Sequence, residues 1–116
     1  MALDRFIYWN SQKPTFDEIL NTARCYIGEL GKVEVLSGVI FISLGSSSTT
    51  FMPDAVTREE RWIEVHWNPK HVDVLTRNQD EFTNDLAASF ARRLAAHWNG
   101  NLDKEMLANV SGAKPV

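Results

Sequence analysis

The spacing of apolar residues changes along the chain, and these changes predict an order of strands and helices. An aromatic, β-prone run at 5–9 predicts a first strand. Thr15 is followed three positions later by Glu18, which is a capping-box pattern. Apolar residues then recur at helical spacing as far as Leu30, and Gly31 follows. The pattern predicts a helix of about 15 residues that ends at Gly31.

Two β-branched runs at 33–36 and 39–44 predict a hairpin, because only Ser37-Gly38 separates them. This register divides the side chains between two faces. The first face receives Val33, Val35, Ile40, Ile42 and Leu44. The second face receives Glu34, Leu36, Val39, Phe41 and Ser43. The polar segment 45–60 that follows is predicted to be a long irregular loop.

A second hairpin is predicted from the runs 62–67 and 71–76, for which two registers compete. If Trp67 pairs with Val72, the apolar residues of both strands share one face, whereas pairing with His71 separates them. A buried face favours the first register. The second face of this hairpin then carries Trp62, Glu64, His66, Asp73 and Leu75.

The last helix has the strongest pattern. Asn78 is the predicted cap, and a row of large apolar residues recurs every four positions from Phe82 to Trp98 before Asn99-Gly100. Residues 102–108 are predicted to add a short helical turn. The fold class is therefore α+β, with a mostly antiparallel sheet of four or five strands and two main helices in the order β-α-β-β-β-β-α. Residues 1–109 form the predicted domain, and 110–116 a flexible tail.

The second face of the predicted sheet is too apolar to stand alone in water. Two arrangements can cover it. If one helix packs on each face, the domain has three layers and the second face is internal. If both helices pack on the first face, another protein or a second copy of the chain must cover the second.

Charge and composition narrow the classes of partner. The 116 residues include 12 Lys and Arg against 15 Asp and Glu, a formal net charge of −3, which argues against nucleic-acid binding. The longest apolar run, 39–44, is too short to span a bilayer, and the first residues lack a signal-peptide pattern. With a single cysteine, Cys25, an internal disulfide is impossible, and the expected location is the cytoplasm.

The most suggestive chemical pair is His66 with Asp73, which the chosen register places directly opposite each other. A carboxylate can orient a histidine as a base, but no nucleophile motif accompanies the pair. The commoner interpretation is a cross-strand polar pair. The three histidines match no zinc spacing, so neither a metal nor a cofactor is expected.

The leading hypothesis is a non-catalytic protein-interaction domain, such as an inhibitor, an immunity-type protein or an accessory subunit. It would bind another protein, or a second copy as a homodimer, through Leu36, Val39, Phe41, Trp62, His66, Asp73 and Leu75. A first alternative is a small enzyme or small-molecule-binding protein with His66 and Asp73 in a pocket closed by 45–60. A second is a nucleic-acid binder that uses Arg77, Arg92 and Arg93.

Overall fold

The computed structural model of the protein describes residues 2–52, 55–77 and 79–103. Over these residues it is an α+β domain in which two helices accompany a six-stranded antiparallel sheet. The elements are β1 (Ala2–Tyr8), α1 (Phe16–Ile27), β2 (Lys32–Leu36), β3 (Val39–Met52), β4 (Ala55–Trp67), β5 (His71–Arg77), α2 (Glu81–His97) and β6 (Asn101–Leu102). The spatial strand order is β2-β3-β4-β5-β1-β6. The predicted class is confirmed.

Helix α1 begins as predicted and ends earlier. Thr15 caps it, and the reciprocal bonds of a capping box join Thr15 to Glu18 at 3.2 and 2.9 Å. The helix has 12 residues and ends at Ile27, and Leu30 is 56% exposed. The predicted end at Gly31 is therefore wrong, and Gly31 has a different role. A Cβ on Gly31 would lie 2.3 Å from the carbonyl oxygen of Ser43, so this glycine lets the chain pass close to β3.

Both predicted hairpin registers are confirmed. Ser37 and Gly38 have φ angles of 51° and 77°, as a type I′ turn requires, and Leu36 pairs with Val39. In the second hairpin Trp67 pairs with Val72. The buried first face thus determined the register of each pair.

The segment 45–60, predicted as a loop, is mostly strand. Strands β3 and β4 continue past the rest of the sheet and pair with each other as far as Met52 and Ala55. The ladder is interrupted after Ser43, where Gly45 adopts a φ of 82°, and it resumes at Ser46. A glycine of this kind marks a β-bulge inside a strand as readily as a turn, which is why the polar pattern suggested a loop.

Helix α2 begins later than predicted. Asp80 is its N-cap and accepts the Thr83 N–H at 2.8 Å, whereas Asn78 lies outside the described residues. With this start Phe82 is 54% exposed, so it does not belong to the buried stripe. The buried residues of α2 are Thr83, Ala87, Phe90, Ala91, Leu94 and Ala95. The helix ends as expected, with Asn99 at a φ of 55° and the Gly100 N–H bonded to the Ala95 carbonyl at 2.7 Å, as in a Schellman motif.

A short strand follows in place of the predicted helical turn. Strand β6 pairs with β1, and the Asp103 N–H continues this edge by donating to the Phe6 carbonyl at 2.9 Å. The rest of that predicted turn, and the predicted tail, lie outside the described residues. Strand β1 also begins earlier than expected, at Ala2 rather than Arg5.

Both helices pack on the first face of the sheet. One buried cluster joins Ile19 and Ile27 of α1 and Phe90 of α2 to strand residues such as Ile40 and Val65. The two helices also touch each other, because the Tyr26 ring stacks on Phe90 with centroids 5.9 Å apart. Within the described part of the chain no helix covers the second face, so the arrangement has two layers rather than three.

Two tryptophans, Trp67 and Trp98, lie at the margin of the core and are only partly covered. Trp98 packs against the core from its position after α2, and it is partly buried. Trp67 is 37% exposed and lies at the rim, where its Nε1 donates to the Pro14 carbonyl at 3.0 Å. The Lys13 ammonium lies 3.5 Å from the centroid of the Trp67 ring. Trp67 therefore fastens the β1–α1 connection to the sheet.

Candidate functional site: the second face of the sheet

The seven residues predicted as a binding surface do share one face. Leu36, Val39, His66, Asp73 and Phe6 follow one another across five strands in a single row of cross-strand partners. The adjacent row is Glu34, Phe41, Glu64, Leu75 and Asp4. Trp62 lies beyond Glu64 on β4. The prediction that these side chains share one face is confirmed by the register, and we call this surface the second face.

The middle of the second face is buried by its own neighbours. Leu75 is 5% exposed, yet it does not belong to the core cluster between sheet and helices. Phe41 on β3 and Trp62 on β4 are partly exposed, and Leu36 at the β2 edge is 53% exposed. The result is a shallow apolar surface around a few enclosed polar groups.

Glu64 is the best-connected polar group on this face. Its Oε2 accepts hydrogen bonds from Trp62 Nε1 and Arg77 Nε, each at 2.9 Å, and its Oε1 lies 2.9 Å from His66 Nε2. The carboxylate is almost fully enclosed, with 7% of the side chain exposed. Burial alone would raise the pKa of Glu64, but the three hydrogen bonds and the Arg77 charge outweigh it and hold that pKa below its usual value.

His66 and Asp73 are direct cross-strand partners, as predicted. The hydrogen bond of His66 nevertheless goes to Glu64 on its own strand. The Asp73 carboxylate accepts the Arg5 backbone N–H at 3.1 Å and is hydrogen-bonded to Asp4. The arrangement gives His66 an acidic partner, but a different one from the partner that the sequence suggested.

Asp4 and Asp73 form a carboxyl pair between β1 and β5. A hydrogen bond between two carboxyl groups requires one of them to keep a proton. Burial of Asp73, which is 8% exposed, together with the hydrogen bond and negative charge of Asp4, raises the pKa of Asp73 to about 8. Asp4 was missed at the sequence level because the first strand was predicted to start at Arg5, the residue that follows Asp4.

Arg5 lies behind this pair, on the core side of β1, and it is 2% exposed. Its guanidinium donates to the carbonyls of Leu3, Val74 and Asn84 and to the Thr76 hydroxyl, at 3.2–3.4 Å. Burial lowers the pKa of Arg5, while the charges of Asp73, Asp4 and Asp85 oppose that shift. The carboxyl pair and the buried guanidinium thus occupy opposite sides of the same sheet.

An aromatic group adjoins the carboxyl pair. Phe6 meets the His71 ring edge-on at a centroid distance of 5.1 Å, and Tyr8 lies 5.5 Å from His71. Tyr8 is 42% exposed. The alternation of Asp4, Phe6 and Tyr8 along β1 is the sequence signal that places all three on the second face.

A second concavity lies on the opposite side of the molecule, between the helices. This groove of about 710 Å³ is lined by residues that include Glu18, Cys25, Tyr26, Arg93 and His97. Cys25 is exposed there. The Arg93 guanidinium lies 4.8 Å from the Tyr26 ring centroid and the His97 ring contacts Trp98, so both side chains take part in local packing.

Comparison with known proteins found no match among protein-family models, curated proteins or solved structures. In the described ranges no three His, Cys, Asp or Glu side chains are grouped so that they could hold a metal ion. Neither α1 nor α2 is long and apolar enough to cross a membrane, and these are the helices of the described chain.

Proposed function

We propose that this protein is a protein-interaction domain whose second face binds another protein. The observation that carries the proposal is the placement of both helices on the first face, which leaves the second face without a covering layer among the described residues. An apolar sheet surface of this kind, edged by polar groups, is typical of a protein-binding site.

The chemistry of the face supports binding rather than catalysis. His66 and Arg77 are both engaged by Glu64, so these side chains hold the surface in shape. Preorganised aromatic side chains such as Trp62 and Phe41 are the kind of anchor that dominates binding energy at protein interfaces. An inhibitor, an immunity-type protein or an accessory subunit would use such a face directly.

The test is capture of partners from the native host with the wild-type chain and with a double variant, Leu36→Ser plus Phe41→Ser. Serine removes apolar area without adding charge. We expect affinity for a captured protein, remeasured with purified components, to fall by about tenfold or more. Phe82→Ser is the matched control, because Phe82 is also an exposed aromatic side chain but lies on α2.

Thermal unfolding of all variants separates lost binding from lost folding. Light scattering on the isolated wild-type chain shows whether a second copy is the partner. A double variant that folds and binds as tightly as the wild type would rule out the second face as the interface. Equal weakening by Phe82→Ser would move the interface to the helical side.

A further inference from the structure

On the described part of the second face, some acidic side chains have a basic partner and others do not. Glu64 has Arg77 and His66 within 2.9 Å, and at the β2 edge Glu34 has Lys32 at 3.1 Å. The Asp4–Asp73 pair has no ion-pair partner of this kind among the described residues on its face. Asp73 is only 8% exposed, so this acidic pair lies in a largely enclosed position.

Arg5 attracts this pair from behind but does not occupy its outer side. The guanidinium is hydrogen-bonded to three carbonyl oxygens and to Thr76 on the core side of the sheet. Its contact with Asp73 is made through the backbone N–H at 3.1 Å. The hydrogen bonds of the guanidinium therefore lie on the core side, and none of them places a cation on the outer side of the pair.

The rings beside the pair suit the same ligand. Phe6, Tyr8 and His71 are in mutual contact at centroid distances of 5.1–6.4 Å, and Tyr8 is partly exposed. A guanidinium or ammonium group gains energy over an aromatic ring and forms a charge-assisted hydrogen bond with a carboxylate. We call Asp4, Phe6, Tyr8, His71 and Asp73 the acidic–aromatic patch.

We propose that the second face receives a basic segment of its partner protein, with a Lys or Arg side chain held between the rings and the carboxyl pair of the acidic–aromatic patch. This inference rests on the proposed function, for which it specifies the chemistry of the partner. A second copy of the chain is a poorer occupant, because it brings the same acidic face and a net charge of −3.

The test uses a defined probe, the capped peptide Val-Arg-Val-Arg-Val, and the same peptide with citrulline at both arginines. Citrulline keeps the shape of arginine and removes its charge. Amide shifts of isotope-labelled wild-type protein, followed by NMR at low salt, give affinity and location together. We expect the arginine peptide to bind about tenfold more tightly, to shift the acidic–aromatic patch and to weaken with added salt.

Two variants assign the preference to the carboxyl pair. Asp4→Asn plus Asp73→Asn keeps the hydrogen-bonding atoms, removes the charge and should abolish the preference for arginine over citrulline. Glu34→Gln removes a carboxylate from the far edge of the same face and should leave that preference unchanged. Tyr8→Ser should weaken the arginine peptide about threefold through loss of the ring.

Equal binding of the two peptides, no binding of either, or shifts confined to the helices would overturn the basic-partner inference. Retained discrimination in the Asn double variant would do the same. These failures leave the proposed function standing if Leu36→Ser plus Phe41→Ser still abolishes partner capture. If that variant also captures its partner normally, the second face is not the interface at all.

Discussion

Glu64 and Asp73 lie on neighbouring strands of the second face, and their surroundings move their pKa values in opposite directions. Three hydrogen-bond donors and the Arg77 charge overcome the effect of burial at Glu64 and lower its pKa. At Asp73 burial is the largest cause of a rise in pKa to about 8, and the hydrogen bond and negative charge of Asp4 add to it. The kind of neighbour therefore decides the direction at these two buried carboxyl groups.

This difference predicts opposite pH dependences of stability. The pKa of folded Asp73 is about 8, whereas in the unfolded chain the carboxyl group loses its proton near the ordinary pKa of 3.8. Between these values the folded state binds more protons, so the free energy of unfolding falls as pH rises. We expect the free energy of unfolding of Asp73→Asn, relative to that of the wild type, to increase by more than about 1.4 kcal/mol between pH 4 and pH 8. Urea unfolding at both pH values measures this change.

Glu64→Gln is the matched control, because Glu64 contributes a pH dependence of stability opposite in sign to that of Asp73. The pKa of Glu64 is lower in the folded chain than in the unfolded one, where it has its ordinary value of 4.5. The free energy of unfolding of the wild type, relative to that of Glu64→Gln, should therefore increase as pH rises towards 4.5. Above pH 4.5 this difference should stay constant. A stability difference between Asp73→Asn and wild type that is independent of pH would show that Asp73 does not retain its proton.

At the scale of elements, α2 provides one wall of the core through a narrow stripe. Phe90 is fully buried, and Ala87, Ala91 and Ala95 beside it are buried small residues that let the helix approach the sheet closely. The row of large residues from Phe82 to Trp98 suggested a wider stripe. The N-cap at Asp80 fixes where the first turn begins, and Phe82 then points away from the core.

The prediction at this scale compares two phenylalanines of α2. Phe90→Ala removes a buried ring stacked on Tyr26, and we expect it to lower the free energy of unfolding by about 3–5 kcal/mol. Phe82→Ala removes a ring that is 54% exposed and should cost less than about 1 kcal/mol. Chemical denaturation of both variants measures the difference. Similar losses at the two positions would mean that the buried face of α2 is misassigned.

At the scale of the whole molecule, both helices lie on the first face, and within the described ranges the second face has no covering layer. The acidic charge of that side opposes pairing with an identical copy. We therefore expect the isolated chain to be monomeric in light scattering, with a mass of 13.2 kDa, and to assemble only with a basic partner. A stable dimer that is lost in the folded Leu36→Ser plus Phe41→Ser variant would instead make the second copy the partner.

Local pattern alone determined much of this molecule. The capping box at Thr15, the turn at Ser37-Gly38 and the registers of both hairpins follow from short-range rules, because alternation and turn geometry act between near neighbours. The shared face of Leu36, Val39, Phe41, Trp62, His66, Asp73 and Leu75 follows from those registers. The extension of β3 and β4 through the polar segment did not, because a glycine bulge and a loop give the same local signal.

Tertiary structure decided what lies on each side of the sheet. An amphipathic helix needs an apolar surface, and the sequence offered two, so only the assembled fold placed both helices on the first face. The same packing brought Asp4 of β1 beside Asp73 of β5, residues 69 positions apart by their numbering. Spacing along a chain cannot specify such contacts, because they depend on which strands become neighbours.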